Sequence, residues 1–512
     1  MAVGEEVKST DVIIIGGGTG GYATALRARG LGLEVTLIDK GLVGGTCLHR
    51  GCIPSKALLH AAEISEYIEE GKNRWGISAS LDKVDPLQMA FTRDDIVEKN
   101  HAGLLDHLHH DGIKVIYGSA RLIGDNKVLV SPVSGAYGDV PLSGVKSHAN
   151  NAAKKTYPVT ELTEEIELSA RRGIVLAMGS KPRQLPAFPE DGNVILTSDT
   201  ATRSVEIPNS VLVVGAGAIG VEFATFYHAF GAKVTICEAL GAVLPTEDQD
   251  VSNEMARALK RKNIDVLLNS QLKDIQITKK GAKCTIATPN GEMTLEAEKV
   301  LVAIGRIPVS ENTGLEEVGV KVDRGYVVPS DWATLQTSVP GIYAVGDILP
   351  PPSLALAHAS FAEGIRVAEV LAGIKNIPID YAGIPRATYS HPEAASVGLT
   401  EKQAKDLGYE VVTNKVPLTS IAKGLIYGQG GMVKIVAEKN TSGTHEGAGK
   451  VLGVHLVGPH VTEMISEGML IYNWEALPME VAEYIHPHPS LSEAFGEASL
   501  TLANRRLHQM GK

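Results

Sequence analysis

Apolar positions along this chain fall into two patterns. Short runs dominated by Val, Ile and Leu occur at Asp11–Gly16, Glu34–Ile38, Gly173–Met178, Ser210–Gly215 and Lys233–Cys237. Such runs predict strands buried in a parallel sheet. Between them the apolar positions take helical spacing, as at Ala23, Ala25, Leu26 and Ala28, and again across Leu58–Ile68 and Asp94–His109. Strand, helix, strand in succession is the signature of an α/β fold. From Ala382 onward the pattern changes to the strands Ala387–Tyr389, Val411–Val416, Met432–Val436 and Val451–Val457, then the helices Thr462–Tyr472 and Leu491–Asn504. That order predicts a separate α+β domain at the C-terminus. Two stretches break both patterns. Ser131–Thr163 is polar and reads as a surface excursion, and Thr441–Gly449 reads as a hairpin loop.

The glycines make the first pattern specific. Strand Asp11–Gly16 runs into Gly16-x-Gly18-x-x-Gly21, a helix, a second strand and Asp39. This is a dinucleotide fingerprint with each neighbour in place. Gly16 allows the tight turn, Gly18 lets backbone approach a pyrophosphate, and Gly21 lets helix pack on strand. The phosphates belong at the helix N-terminus, and Asp39 is placed to accept from a ribose hydroxyl. The unit then recurs. Gly215, Gly217, Gly220 and Glu238 each lie 199 residues after their counterparts Gly16, Gly18, Gly21 and Asp39. The chain therefore predicts two Rossmann-like dinucleotide-binding domains plus the C-terminal α+β domain. Glu238 is followed by Ala239 and Leu240, and a carboxylate suits the free 2′-hydroxyl of NAD but repels the 2′-phosphate of NADP.

Composition narrows the setting. At 512 residues the chain exceeds one core, and a formal charge of −11 disfavours nucleic acid or an anionic membrane as partner. No apolar run is long enough for a membrane span, and Met1–Thr10 has neither signal nor transit character. With only four cysteines there is no disulfide framework. A cytoplasmic, reducing location is expected, with a mature mitochondrial-matrix form as the alternative.

Two of those cysteines, Cys47 and Cys52, sit in Gly44–Lys56 just after the first unit. Residues five apart on a regular helix point away from each other. A bridge between them requires a bent backbone, and such a bridge is the reducible kind. The alternative is a pair of thiols that never meet. If the pair is redox-active, the first dinucleotide must exchange electrons with a disulfide. That points to a flavin there, as FAD, and to NAD in the second unit.

Gly44-Gly45-Thr46-Cys47 through Cys52-x-Pro54-Ser55-Lys56, the two fingerprints, Thr337–Asp347 and His486-Pro487-His488-Pro489 resemble the flavoprotein disulfide reductases. The resemblance covers nearly the whole chain. It implies a Cys47–Cys52 redox disulfide, FAD and NAD as cofactors, and a homodimer formed through the C-terminal domain. Within the family it implies the branch that oxidises dihydrolipoamide on the lipoyl domains of 2-oxo acid dehydrogenase or glycine-cleavage complexes. The alternatives are another NAD(P)H-dependent disulfide reductase of the family, or a flavin-bound redox sensor or assembly subunit.

The implied division is 1–163 for FAD, 164–305 for NAD, 306–380 as a central domain completing the FAD site, and 381–512 as the interface domain. FAD contacts are implied at Gly16, Gly18, Gly21, Asp39, Lys40, Gly45, Thr46, Lys56, Gly118, Met178, Gly179, Ser180, Asp347, Ala355, Leu356, Ala357 and His358. The family usually has Thr where this chain has Met178. NAD contacts are implied at Gly215, Gly217, Ala218, Ile219, Gly220, Glu222, Glu238, Leu272 and Gly305. Cys47 is expected as the interchange sulfur and Cys52 as the sulfur nearer the flavin. His488, oriented by Glu493, is expected as the base, supplied by the partner subunit. Lys56 is expected beside the flavin and paired with Glu222, whose counterpart in the first unit is only Ala23. On the residues alone, Ser490-x-x-Glu493 also reads as a capping box for the last helix. His486 and His358 are given no acid–base task.

Overall fold

The β-branched runs form the parallel centres of two sheets. In the computed structural model, which describes residues 8–134, 159–204, 206–375, 377–441, 443 and 446–509, the first sheet has eight strands. Lys8–Ile15 lies in its middle, flanked in parallel by Val35–Asp39 and Ile166–Leu176. The run Val12–Ile14 is fully buried, as unalternating apolar strands must be when both faces are covered. Helix Thr19–Gly30 connects the first two strands, and helix Ala357–Leu371 packs against it.

The second sheet has five parallel strands with Ser210–Val214 at its centre, paired to Lys233–Cys237 and Lys299–Val302. A three-stranded antiparallel sheet, Gln271–Thr278, Gly281–Thr288 and Gly291–Ala297, is inserted before its Lys299–Val302 strand. The C-terminal domain is a five-stranded antiparallel sheet in the order Arg386–Thr388, Glu393–Gly398, Val451–Gly458, Met432–Glu438, Val411–Pro417. Helices Val461–Asn473 and Glu493–Leu502 cover it.

Three features depart from the sequence reading. Strand Ile166–Leu176 belongs to the first sheet, so the first unit reaches past the boundary expected at 163. Strand Ile342–Ala344 pairs with it in parallel, so the central segment completes the same sheet. The polar excursion is not wholly outside the layer. Its end, Val159–Glu161, adds an edge strand to Lys114–Tyr117, while residues 135–158 lie outside the described residues. An edge strand this short needs no apolar run, so no hydrophobic signal marks it. Most of Thr441–Gly449 is described, except 442, 444 and 445.

Lys434, in the middle of a C-terminal strand, joins the domains. Its Nζ lies 2.8 Å from Asp248, 2.9 Å from Asp250 and 2.8 Å from Glu401, with the side chain 3% exposed. Among the described residues no helix is long and apolar enough to cross a membrane.

Candidate functional site

The two glycine turns repeat in atomic detail. Gly16 has φ +103° and Gly215 φ +107°, a backbone region that L side chains rarely adopt. A Cβ on Gly21 would lie 1.8 Å from the Gly16 carbonyl oxygen, and one on Gly220 2.0 Å from that of Gly215. These two glycines serve helix packing, and neither lines the cleft described below. A Cβ on Gly18 or Gly217 would meet nothing within 4 Å, because both face open space at the start of a helix. That is the room a pyrophosphate needs on unpaired N–H groups.

The acids have a duty the sequence reading missed. Asp39 accepts from the Gly17 and Gly41 N–H groups, and Glu238 accepts from those of Ala216 and Leu240. Each carboxylate therefore holds its own glycine turn to the end of the second strand. Each oxygen keeps a lone pair for a ribose hydroxyl.

A single cleft of about 1900 Å³ runs past both turns. One small-molecule site usually takes about 300–1,000 Å³, so the space suits two extended ligands. Lining it are Gly16, Gly18, Asp39, Lys40, Gly45, Thr46, Cys47, Cys52, Lys56 and Gly118 of the first unit, with Met178, Gly179, Ser180, Asp347 and Ala355–Ala357. Gly215, Gly217, Ala218, Ile219, Glu222, Glu238, Leu272 and Gly305 line the rest. His358 is outside that lining. It is exposed, and its Nε2 is 2.7 Å from the Pro385 carbonyl oxygen.

The cysteines occupy the bend their spacing requires. Helix Gly45–His49 stops at Arg50, Gly51 turns the chain, and a new helix runs Cys52–Trp75. The helical periodicity read at Leu58–Ile68 is the middle of this longer helix, so Cys52 is its first residue. The two thiols are half-buried and both line the cleft. Interaction with the neighbouring thiol, reinforced by burial, pushes Cys47 up; the same interaction pulls Cys52 down, helped by the positive charge of Lys56. A helix N-terminus favours the same thiolate. Lys56 and the helix N-terminus thus both act on Cys52, the sulfur at the start of the helix.

Lys56 projects from the start of the second turn of that helix and meets Glu222 at 3.0 Å from each carboxylate oxygen. Glu222 also accepts from the Tyr389 N–H at 2.9 Å, and the ammonium lies 4.6 Å from the centre of the Tyr389 ring. Burial works against the charge on Lys56, but Glu222 outweighs it and the ammonium is held above its usual range. Tyr389 carried no sequence signal beyond its place at a strand end.

A second chain of contacts closes the cleft opposite. Ser180 Oγ donates to Asp347 at 2.6 Å, and Arg306 donates to Ser180 Oγ at 2.7 Å and to the Ser180 carbonyl at 2.8 Å. Arg306 lies in Gly305-Arg306-x-Pro308, the only sequence mark of this role.

His488 is elsewhere. Its side chain is 73% exposed and it does not line its own chain's cleft. Its Nδ1 is 2.7 Å from Glu493 Oε1, while the Ser490 N–H donates to Glu493 Oε2 at 2.8 Å. One carboxylate thus holds both imidazole and backbone. The capping box is only half formed, because the helix begins at Glu493 and the Ser490 hydroxyl has no partner. His486 is bound to Glu467 at 2.7 Å.

Two glycine turns opening on one cleft, with a thiol pair in its wall, define an oxidoreductase that handles dinucleotides and disulfides. Family models agree in detail: that of the pyridine nucleotide-disulphide oxidoreductases matches residues 10–364, and that of their dimerisation domain matches 384–499. The chain belongs to the pyridine nucleotide-disulphide oxidoreductase family. It is 40% identical over 506 residues to the dihydrolipoyl dehydrogenase of Bacillus subtilis, covering 97% of this chain and 99% of that one. It is 33% identical over 513 residues to that of Geobacillus stearothermophilus, covering 100% of both. Among solved structures it is similar to LpdA from Mycobacterium tuberculosis, with TM-score 0.81, 25% identity, and 97% and 100% coverage. The fold is shared with the HOCl-induced flavoprotein disulfide reductase RclA from Escherichia coli, with TM-score 0.78, 23% identity, and 97% and 100% coverage.

Proposed function

We propose that this chain oxidises dihydrolipoamide on a protein-bound lipoyl arm and delivers the electrons to NAD⁺, working as a homodimer. The observation that carries this reading is the Cys47–Cys52 thiol pair in the wall of a cleft that both fingerprints share. Full-length likeness to chains named dihydrolipoyl dehydrogenase supports the choice of dithiol. The division of labour follows the same reading. Residues up to Leu176, with the central segment 306–380, hold FAD, the second sheet holds NAD, and 381–512 forms the interface.

The disulfide state of Cys47 and Cys52 is the oxidant. One substrate thiol gives its proton to His488 and attacks the Cys47 sulfur. The Cys47–Cys52 bond breaks, and its electron pair leaves on Cys52. The helix N-terminus and Lys56 both favour that thiolate. The second substrate thiol gives its proton to Cys47 as it attacks the substrate sulfur. The Cys47–substrate bond breaks, and lipoamide leaves as a cyclic disulfide. Two electrons and two protons are then on the protein, one proton on His488 and one on Cys47. FAD, when bound along the first fingerprint, supplies the two-electron acceptor that restores the disulfide and the carrier from which NAD⁺ takes hydride.

His488 is held by Glu493 but does not line its own cleft, which supports its service to the cleft of the partner subunit. Glu238 and the apolar residues after it favour NAD⁺ over NADP⁺. The test is NAD⁺ reduction by dihydrolipoamide measured beside NADPH oxidation by glutathione disulfide. The first reaction alone is expected. Turnover of glutathione disulfide with NADPH, or none with dihydrolipoamide, overturns the reading.

A further inference from the structure

Among the described residues, Glu363 is the one fully buried carboxylate near the cleft that none of the chemistry above uses, with 0% of its surface exposed. It projects from helix Ala357–Leu371 and gathers three donors from three other segments. The Gly346 N–H reaches Oε2 at 2.6 Å. The Ser353 hydroxyl reaches Oε1 at 2.6 Å, and the Tyr381 hydroxyl reaches the same oxygen at 2.9 Å.

Each donor belongs to something that matters for the cleft. Gly346 has φ +78° and immediately precedes Asp347, so its position sets where that carboxylate points. Ser353 belongs to the loop that runs into Ala355–Ala357 along the cleft. Tyr381 stands where the central segment passes into the interface domain, its ring 5.8 Å from that of Trp332. All three donors are neutral. A buried carboxylate is far costlier without its hydrogen bonds than with them, so the three segments and the ionised acid hold one another in place.

We propose that Glu363 is a positioning residue for the flavin nucleotide, whose ionised carboxylate clamps the Asp347 turn and the loop before Ala355, and whose protonation loosens both. This rests on the reading that the first unit takes FAD. The charge facing Glu363 is Asp347, and the facing polar groups are Ser353 and Tyr381. On the packed helix Thr19–Gly30 the Gly20 carbonyl and Thr24 lie against Gly364, the next residue along, and carry no charge. Burial, with a further push from Asp347, raises Glu363 to about 7 in spite of its three donors. Above that pH all three hydrogen bonds stand. Below it one oxygen carries a proton, and three donors compete for the acceptor sites that remain.

The experiment measures release of FAD from the holoenzyme, by the rise in flavin fluorescence, across about pH 5.5 to 8.5. Release is expected to quicken about tenfold toward the acid end, the scale of one charge-assisted hydrogen bond lost. Tyr381→Phe removes a donor that favours the ionised acid, so its midpoint should move to higher pH. Glu363→Gln should remove the dependence altogether. A wild-type midpoint in Tyr381→Phe overturns the proposal even if Glu363→Gln fails to fold, and so does a wild-type profile in Glu363→Gln. A wild-type chain that takes up no FAD at any pH overturns the proposed function, and this inference with it.

Discussion

Lys56 and Glu222 are 166 residues apart in the chain and 3.0 Å apart in the fold, joined through both carboxylate oxygens. The pair fastens the cysteine helix to the second dinucleotide unit, and it leaves a half-buried cation within electrostatic reach of Cys52. Replacing Lys56 with Met keeps the stem and removes the charge. Cys52 then loses part of what favours its thiolate, and its ionisation moves to higher pH. In the reduced protein, alkylation of Cys52 at pH 7, followed by mass spectrometry, should slow by about fivefold. An unchanged rate–pH midpoint would show that the helix terminus and Cys47 suffice without Lys56.

Glu493 divides its two oxygens between His488 and the Ser490 N–H. Burial raises this carboxyl, but those two hydrogen bonds outweigh it and hold the group below its usual range. Glu493→Gln keeps a carbonyl for one partner and offers an N–H to the other, so the imidazole loses its fixed orientation. Oxidation of dihydrolipoamide should fall by about 10²-fold in kcat/KM, the lower end of what a positioned base contributes. Circular dichroism should be unchanged. A variant with full activity would leave Glu493 only its duty to the backbone.

How much of this was legible beforehand differs from place to place. The glycine turns were, because only glycine accommodates φ near +105° and a helix crossing that leaves no room for a Cβ. The Lys56–Glu222 pair was too, because Glu222 breaks a repeat that otherwise holds and has no fold-level reason to be charged. Hydrogen bonds made by ordinary residues at ordinary positions were not. Nothing in Gly41, Tyr389, Ser353 or Tyr381 sets it apart from a hundred others, since partnership across the fold leaves no local periodicity. The edge strand Val159–Glu161 escaped for the same reason, and the half-formed capping box shows a motif whose parts were pulled apart by a stronger partner.

Lys434 makes a stability prediction. It is surrounded by Asp248, Asp250 and Glu401, each held below its usual range despite burial or partial burial, and Lys434 is itself held above its own. Carboxyls with lowered values stabilise the fold above their ordinary pKa, near 3.8 to 4.5, and lose that contribution as pH falls through the folded values. A lysine with a raised value stabilises below 10.5 and loses that contribution as pH rises through the folded value. Between about pH 5 and pH 10 the network is therefore fully charged on both sides. Lys434→Met leaves three carboxylates without their shared cation and should cost about 3–5 kcal/mol. Urea unfolding of the domain junction at pH 7 is the measurement. At pH 3 the penalty should shrink as the carboxyls protonate, and a penalty independent of pH would place the loss in packing instead.

If His488 serves the cleft of the partner subunit, defects in the two halves of the site should complement each other. Cys52→Ser subunits lack a redox disulfide but carry a good histidine. His488→Ala subunits have the disulfide and lack the base. Each homodimer should be inactive in dihydrolipoamide oxidation. In a dimer made of one of each, one site has both defects and the other has neither, because an isologous interface exchanges the same element in both directions. Random re-pairing gives half the dimers this composition with one working site in two, so roughly a quarter of wild-type activity should return. The mixture is made by unfolding the two variants together and refolding them with FAD, and activity is compared with wild type treated in the same way. Had each subunit used its own histidine, every site in the mixed dimer would carry a defect and no activity would return. The result therefore separates the two arrangements without knowledge of the interface geometry.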